Sequence, residues 1–175
     1  MAAALTCMVC QLTLGKEKYA DVQDEIAALL SRAQDQRQRF QQLLAEDISA
    51  YGELAACLKM PRASEQERQE RRAAIQEHLV QAALVPLEIS ERAMVVAGIC
   101  ERIAEIGNVN VLSDIAAAAM LAASAGTAAA WMVRVNLKGL QDGRAVEALS
   151  QRLSKALDQL TSRCQQVTER VGERT

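Results

Sequence analysis

Residues 22–58 read VQDEIAALLSRAQDQRQRFQQLLAEDISAYGELAACL, and an apolar side chain recurs through them at spacings of four and three. The series is Val22, Ile26, Leu29, Ala33, then Phe40, Leu43, position 47, Tyr51, Leu54 and Leu58. Such a stripe is the buried seam of a long amphipathic helix. Only Gln36 and Asp47 interrupt it with polar side chains. Burying a carboxylate is costly unless it is paired, hydrogen-bonded or protonated, and burial raises its pKa toward the range useful in proton transfer. Asp47 is therefore a candidate functional residue. The structural alternatives are a capped or water-bridged core aspartate, or a seam that turns to solvent at that point.

The pattern on either side of this helix is helical too. A short apolar piece ends at Gly15, and the long helix runs from about Lys18 to Lys59, roughly 60 Å at 1.5 Å per residue, until Pro61 stops it. Ser64 and Glu67 form a capping box for the next helix. Pro86 bends or breaks that one, and an apolar stripe resumes through Leu87 to Ile106 before Gly107-Asn108. Ser113 opens an alanine-rich helix reaching about Lys138, and a last amphipathic helix follows Gly143. No run alternates polar and apolar long enough for a strand. The expectation is an all-α, up-and-down bundle of about five helices, one of them very long, forming a single domain over residues 1–175. A seam longer than one small bundle can cover points to a homodimer.

Composition narrows the class. The chain has 175 residues, half of them hydrophobic, with only four aromatic side chains, so helices pack closely on small residues. A net charge of −2 leaves no basic footprint and argues against nucleic acid as a partner. Residues 115–133 carry no charge, but ten alanines drive membrane insertion weakly, so no membrane span is expected. Five cysteines at unpatterned spacings, and no basic region before the apolar start, suit a cytoplasmic protein. Cys7 and Cys10 have metal-ligand spacing without a second pair, and core cysteines one turn apart are the simpler reading. His78, the single histidine, stands among charged residues on an expected solvent face. No metal site, phosphate loop or nucleophile elbow is expected.

Four segments together resemble the formiminotransferase-cyclodeaminases. They are Leu12-Thr13-Leu14-Gly15-Lys16-Glu17-Lys18-Tyr19; Glu46-Asp47-Ile48-Ser49-Ala50-Tyr51 with Leu58-Lys59-Met60-Pro61; Ala82-Ala83-Leu84-Val85-Pro86-Leu87; and Gly107-Asn108 through Ser113-Asp114 to Val133-Arg134-Val135-Asn136-Leu137-Lys138. The resemblance implies a helical homodimer with a folate site near the protomer contact. The implied reaction is closure of 5-formiminotetrahydrofolate to 5,10-methenyltetrahydrofolate with loss of ammonia, or the related methenyltetrahydrofolate hydrolysis. It implies no cofactor beyond the folate and makes Asp47 the catalytic acid or base. A non-catalytic helical homodimer derived from that family is the competing reading.

For substrate binding the resemblance points to Lys16, Lys18, Asn108, Ser113, Asp114 and Asn136. The two lysines would attract the glutamate tail, or simply start a helix in solvent. Asn108, Ser113 and Asp114 would line the site or cap helices. Asn136 would bond the pterin. The chain departs from the family at two points: its first helix starts at Met1 without a preceding Pro-Gly-Gly-Gly-Ser, and Met132 stands where asparagine is expected. Both lead to an expectation of weak folate binding by the chain as given.

Overall fold

The computed structural model describes residues 1–174. They form five α-helices: Ala2–Thr13 (α1), Gln23–Leu58 (α2), Glu65–Ile106 (α3), Leu112–Leu137 (α4) and Gly143–Arg174 (α5). Short 3₁₀ segments at Glu17–Val22 and Val109–Val111 join them, and no strand occurs among the described residues. The all-helical expectation holds, with two differences.

The first is that α2 starts at Gln23 and not near Lys18. Tyr19 leaves helical geometry (φ −117°, ψ 25°) and turns its side chain into the core. Its hydroxyl there accepts a hydrogen bond from the Val109 N–H at 3.0 Å. The loop before α4 thus takes Tyr19 away from α2.

The second difference is at Pro86, which leaves α3 unbroken over 42 residues. A proline inside a helix deprives the carbonyl four residues earlier of its donor. That carbonyl belongs to Ala82, and Asn136 Nδ2 from α4 donates to it at 2.7 Å. One turn further along, the buried Ser90 hydroxyl bonds the Gly126 carbonyl at 2.9 Å. A neighbouring helix repairs the ladder that the proline opens.

Side-chain pairs fix the directions. Glu25–Arg102, Arg39–Glu88 and Glu53–His78 run α2 antiparallel to α3. Ser90–Gly126 and Ala82–Asn136 do the same for α4. Glu91–Arg152 and Glu105–Arg170 set α5 parallel to α3. Close packing of α4 needs Gly126, since a Cβ there would lie 2.5 Å from Leu160 and 3.0 Å from the Ala93 methyl. The central core lies where α1 joins the bundle, around Val9, Cys10, Ile26, Ile99, Ile103 and Ile115, all fully buried.

Helix α1 lies between α2 and α4 over part of their length. Its C-terminal end meets the start of α2, where Gln23 bonds Tyr19 and the Gly15 N–H. Its N-terminal end stops beside Arg37–Leu44 of α2 and Leu121–Ala125 of α4.

Candidate active site

Beside the start of α1, the space between α2 and α4 is open. It forms a cavity of about 640 Å³ floored by Ala93 and Val96 of α3. Met1, Ala2, Ala3 and Ala4 close one end, and Leu121, Ala122 and Ala125 form the α4 wall. Methyl side chains let a flat ligand come close to the helices. The α2 wall is more varied: Arg37, Phe40, Gln41 and Leu44. Spacings of three and four continue this face through Asp47 to Tyr51, so Arg37, Phe40, Leu44, Asp47 and Tyr51 share one side of α2.

Asp47 is exposed, which corrects the expectation of a buried carboxylate. Leu44 at 66% and Tyr51 at 73% exposure show that the whole face is open. The buried positions of α2 are Ile26, Leu29, Ala33, Leu43, Ala50, Leu54 and Cys57. Two causes separate this seam from the stripe read in the sequence. A spacing of 3.5 drifts about 20° per heptad against a straight helix. Helix α1 also covers one flank of α2 only as far as Leu44.

The charged pair set into the true seam is Arg39 and Glu46. Arg39 holds Glu88 of α3 at 2.7 and 2.8 Å and Glu46 at 2.9 Å, while Arg92 joins from the next turn of α3. The Arg39 bond pulls the Glu88 carboxyl from its usual 4.5 down to about 2, with Arg92 adding and partial burial opposing. This network pins α2 to α3 about two turns before Asp47.

Asn136 stands level with Asp47 along the bundle. Ala82, its partner on α3, lies between Glu88 and His78, which pair with Arg39 and Glu53 on either side of Asp47. The half-buried Asn136 spends its Nδ2 on Ala82 and keeps Oδ1 as an acceptor.

The other five expected binding residues gather elsewhere. Lys16, Lys18, Asn108, Ser113 and Asp114 sit around the far end of α1, about 18 Å from its start at 1.5 Å per residue. Lys18 packs over the Tyr19 ring at 5.7 Å. Asn108 is buried and engaged: its Nδ2 donates to the Leu12 carbonyl at 2.9 Å, and its Oδ1 accepts from the Asn110 N–H at 3.1 Å. It ties the α3–α4 loop to α1. Helix α4 begins at Leu112, so Ser113 is exposed in the first turn and does not cap it. Asp114 lies in that same turn, where a negative charge suits the helix dipole. None of the five faces the groove beside Asp47. Arg37 and Gln41 are the polar residues there that the sequence pattern did not single out, because they flank the stripe without interrupting it.

A second cavity of about 830 Å³ lies on another face of α3, against α5. Most of its charges are already paired, Glu91 with Arg152 bidentately and Glu88 with Arg92, while Lys155 at its edge has no ion pair among the described residues. Cys7, Cys10 and Cys100 are core residues whose thiols burial pushes up, Cys10 to about 12 and Cys100 to about 11. His78 is half-buried with Nδ1 3.4 Å from Glu53, closer to the bundle than its charged neighbours suggested. Among the described residues no three His, Cys, Asp or Glu side chains stand together as metal ligands.

The site is thus a small-residue cavity between helices, with the Asp47 carboxylate one turn past Leu44 on the same side of α2. The sequence profile described as formiminotransferase-cyclodeaminase matches residues 1–155, and the chain belongs to that family. It is 36% identical over 174 residues to the methenyltetrahydrofolate cyclohydrolase of Methylorubrum extorquens, covering 99% of this chain and 81% of that protein. It is 28% identical over 159 residues to the formimidoyltransferase-cyclodeaminase of Rattus norvegicus, 91% of this chain but 29% of that longer protein. The crystal structure of formiminotetrahydrofolate cyclodeaminase from Thermotoga maritima superposes with a TM-score of 0.88 at 27% identity, over 99% of this chain and 82% of that one.

Proposed function

We propose that this chain is a folate one-carbon enzyme that hydrolyses 5,10-methenyltetrahydrofolate to 10-formyltetrahydrofolate, with Asp47 as its acid and base. The observation that carries this is the place of Asp47: one turn past Leu44, on the α2 face that lines the alanine-walled groove. The 36% identity to a cyclohydrolase over nearly the whole chain favours hydrolysis.

The substrate carries its positive charge over N5, the bridging carbon and N10. Water adds to that carbon, the carbon–N5 bond breaks, and the formyl group stays on N10 with net release of one proton. Asp47 takes a proton from the attacking water and returns one to N5 as it leaves. While ionised it also offsets the charge of the methenyl cation. Asn136 Oδ1 is the acceptor for a pterin N–H. No cofactor beyond the folate is needed, and five free cysteines suit a cytoplasmic setting.

Cyclodeamination is the second reading, supported by the similarity to the Thermotoga maritima cyclodeaminase. There N10 attacks the formimino carbon, and the carboxylate moves the N10 proton to the departing ammonia. The substrate and the reacting atoms are nearly the same.

The apolar residues around the groove are covered by a second copy of the chain. Leu44, Ile48 and Tyr51 on α2 and Met120, Trp131, Met132 and Val135 on α4 are all more than half exposed. Val109–Leu137 is long and apolar enough to cross a membrane, but its inner side packs between α3 and α5. A protomer contact that covers both helices explains one surface with one partner.

Two absorbance assays test the proposal. Decay of methenyltetrahydrofolate above its spontaneous rate identifies the hydrolase. Its appearance from 5-formiminotetrahydrofolate, with ammonia release, identifies the deaminase. Well-folded protein inactive in both returns the chain to the non-catalytic helical dimer.

A further inference from the structure

We infer that Arg37 anchors the glutamate carboxylate of the folate, and that the γ-linked glutamyl tail leaves across a glutamine-lined shelf between α1 and α2. This rests on the folate reading above and adds to it which end of the groove takes which end of the ligand. Arg37 lines the alanine-walled cavity, and among the described residues nothing hydrogen-bonds or ion-pairs with its guanidinium. Its neighbour Arg39 is by contrast saturated by Glu46 and Glu88. A guanidinium at the edge of an apolar cavity is a fork for a carboxylate, which it can bind through two parallel hydrogen bonds.

The spacing fits the ligand. Ten residues separate Arg37 from Asp47, about 15 Å along α2. With the one-carbon bridge at Asp47, a benzene ring and one amide lead to the first carboxylate, about 10 Å away by ordinary bond lengths. The long arginine side chain spans the remainder. Lys16 and Lys18, the cations expected to serve the tail, are beyond the other end of α1.

Arg37 also borders a second hollow of about 450 Å³ over α1 and α2, lined by Gln11, Gln34, Gln38 and Gln41. Ala4, Arg37 and Gln41 line both, so the two spaces adjoin at Arg37. Four side-chain amides supply donors and acceptors for a chain of amides and carboxylates, without adding positive charge. The aminobenzoyl part lies in the apolar cavity, the pterin beyond it beside Asp47, and the tail on the polar shelf.

The test pairs Arg37→Gln with a shortened ligand. Unaltered protein, Arg37→Gln and Arg37→Lys are assayed with methenyltetrahydrofolate as the monoglutamate, the triglutamate and the pteroate that lacks glutamate. Equilibrium binding of the matching 5-formyl compounds runs alongside. Arg37→Gln should raise KM and Kd for both glutamyl forms by about ten- to hundredfold, with kcat retained, and Arg37→Lys should recover part of the loss. On the pteroate, Arg37→Gln and the unaltered protein should be equal. The triglutamate should bind the unaltered protein at least as tightly as the monoglutamate. Unchanged constants for Arg37→Gln on the glutamyl forms, or an equal loss on the pteroate, overturn the anchor. Weaker binding of the triglutamate overturns the shelf. If the unaltered protein neither binds nor turns over any folate, the reading beneath this inference fails, and this fails with it.

Discussion

Asp47 and Asn136 carry opposite kinds of polar work. Asp47 is exposed and has no hydrogen bond or ion pair among the described residues, so Asp47→Asn should cost within about 0.5 kcal/mol of stability while kcat falls about a hundredfold or more. Thermal unfolding and steady-state rates on the same preparation check this. A stable variant with full turnover removes Asp47 from the chemistry. Asn136 is tied to the backbone gap at Pro86, so Asn136→Ala should cost about 1–3 kcal/mol by orphaning the Ala82 carbonyl. In a Pro86→Ala background, where residue 86 regains its N–H, the same substitution should cost clearly less. Denaturant midpoints of the four proteins in that cycle measure the coupling. The sequence marked Asp47 through its break in the apolar series, but the burial inferred from that series was mistaken. It named Asn136 as well, without showing the bond to a carbonyl 54 residues away. Arg37 escaped notice because an arginine beside a seam looks like any solvated charge until α1 and α4 are placed against it.

At the scale of elements, five helices follow from apolar spacing, the Ser64–Glu67 box and the glycine and proline punctuation. What spacing could not supply was the partner of each face. Residues 40–51 keep an apolar period on the side that α1 leaves open, so a stripe and a seam diverge there. Pro86 reads as a break because the repairing amide comes from another helix. The hold of α2 on α3 through Glu88 has a pH signature. Its carboxyl is lowered to about 2 in the fold and returns to about 4.5 on unfolding, so the stabilisation is present above pH 4.5 and fades as pH falls toward 2. Glu88→Gln should flatten that part of the curve of stability against pH. Urea midpoints across the range are the check, and parallel curves for the two proteins would show that Glu88 contributes none of the acid sensitivity.

For the molecule as a whole, the apolar faces of α2 and α4 flank one groove and predict a dimer. Trp131, the single tryptophan, is 60% exposed in the isolated chain. Its emission should lie at short wavelength when the protein is concentrated and move red on dilution, in step with the fall in sedimentation coefficient. A stable monomer at micromolar concentration contradicts the pairing. The family resemblance was legible from segment order alone, but the groove was not, since it is built from stretches of α1, α2, α3 and α4 that lie far apart in the chain. A crystal structure with 5-formyltetrahydrofolate decides where the substrate sits. The pteridine and its one-carbon group should lie between α2 and α4, within hydrogen-bond reach of Asp47. Folate bound instead against α5, or around Asn108 at the far end of α1, would contradict that placement.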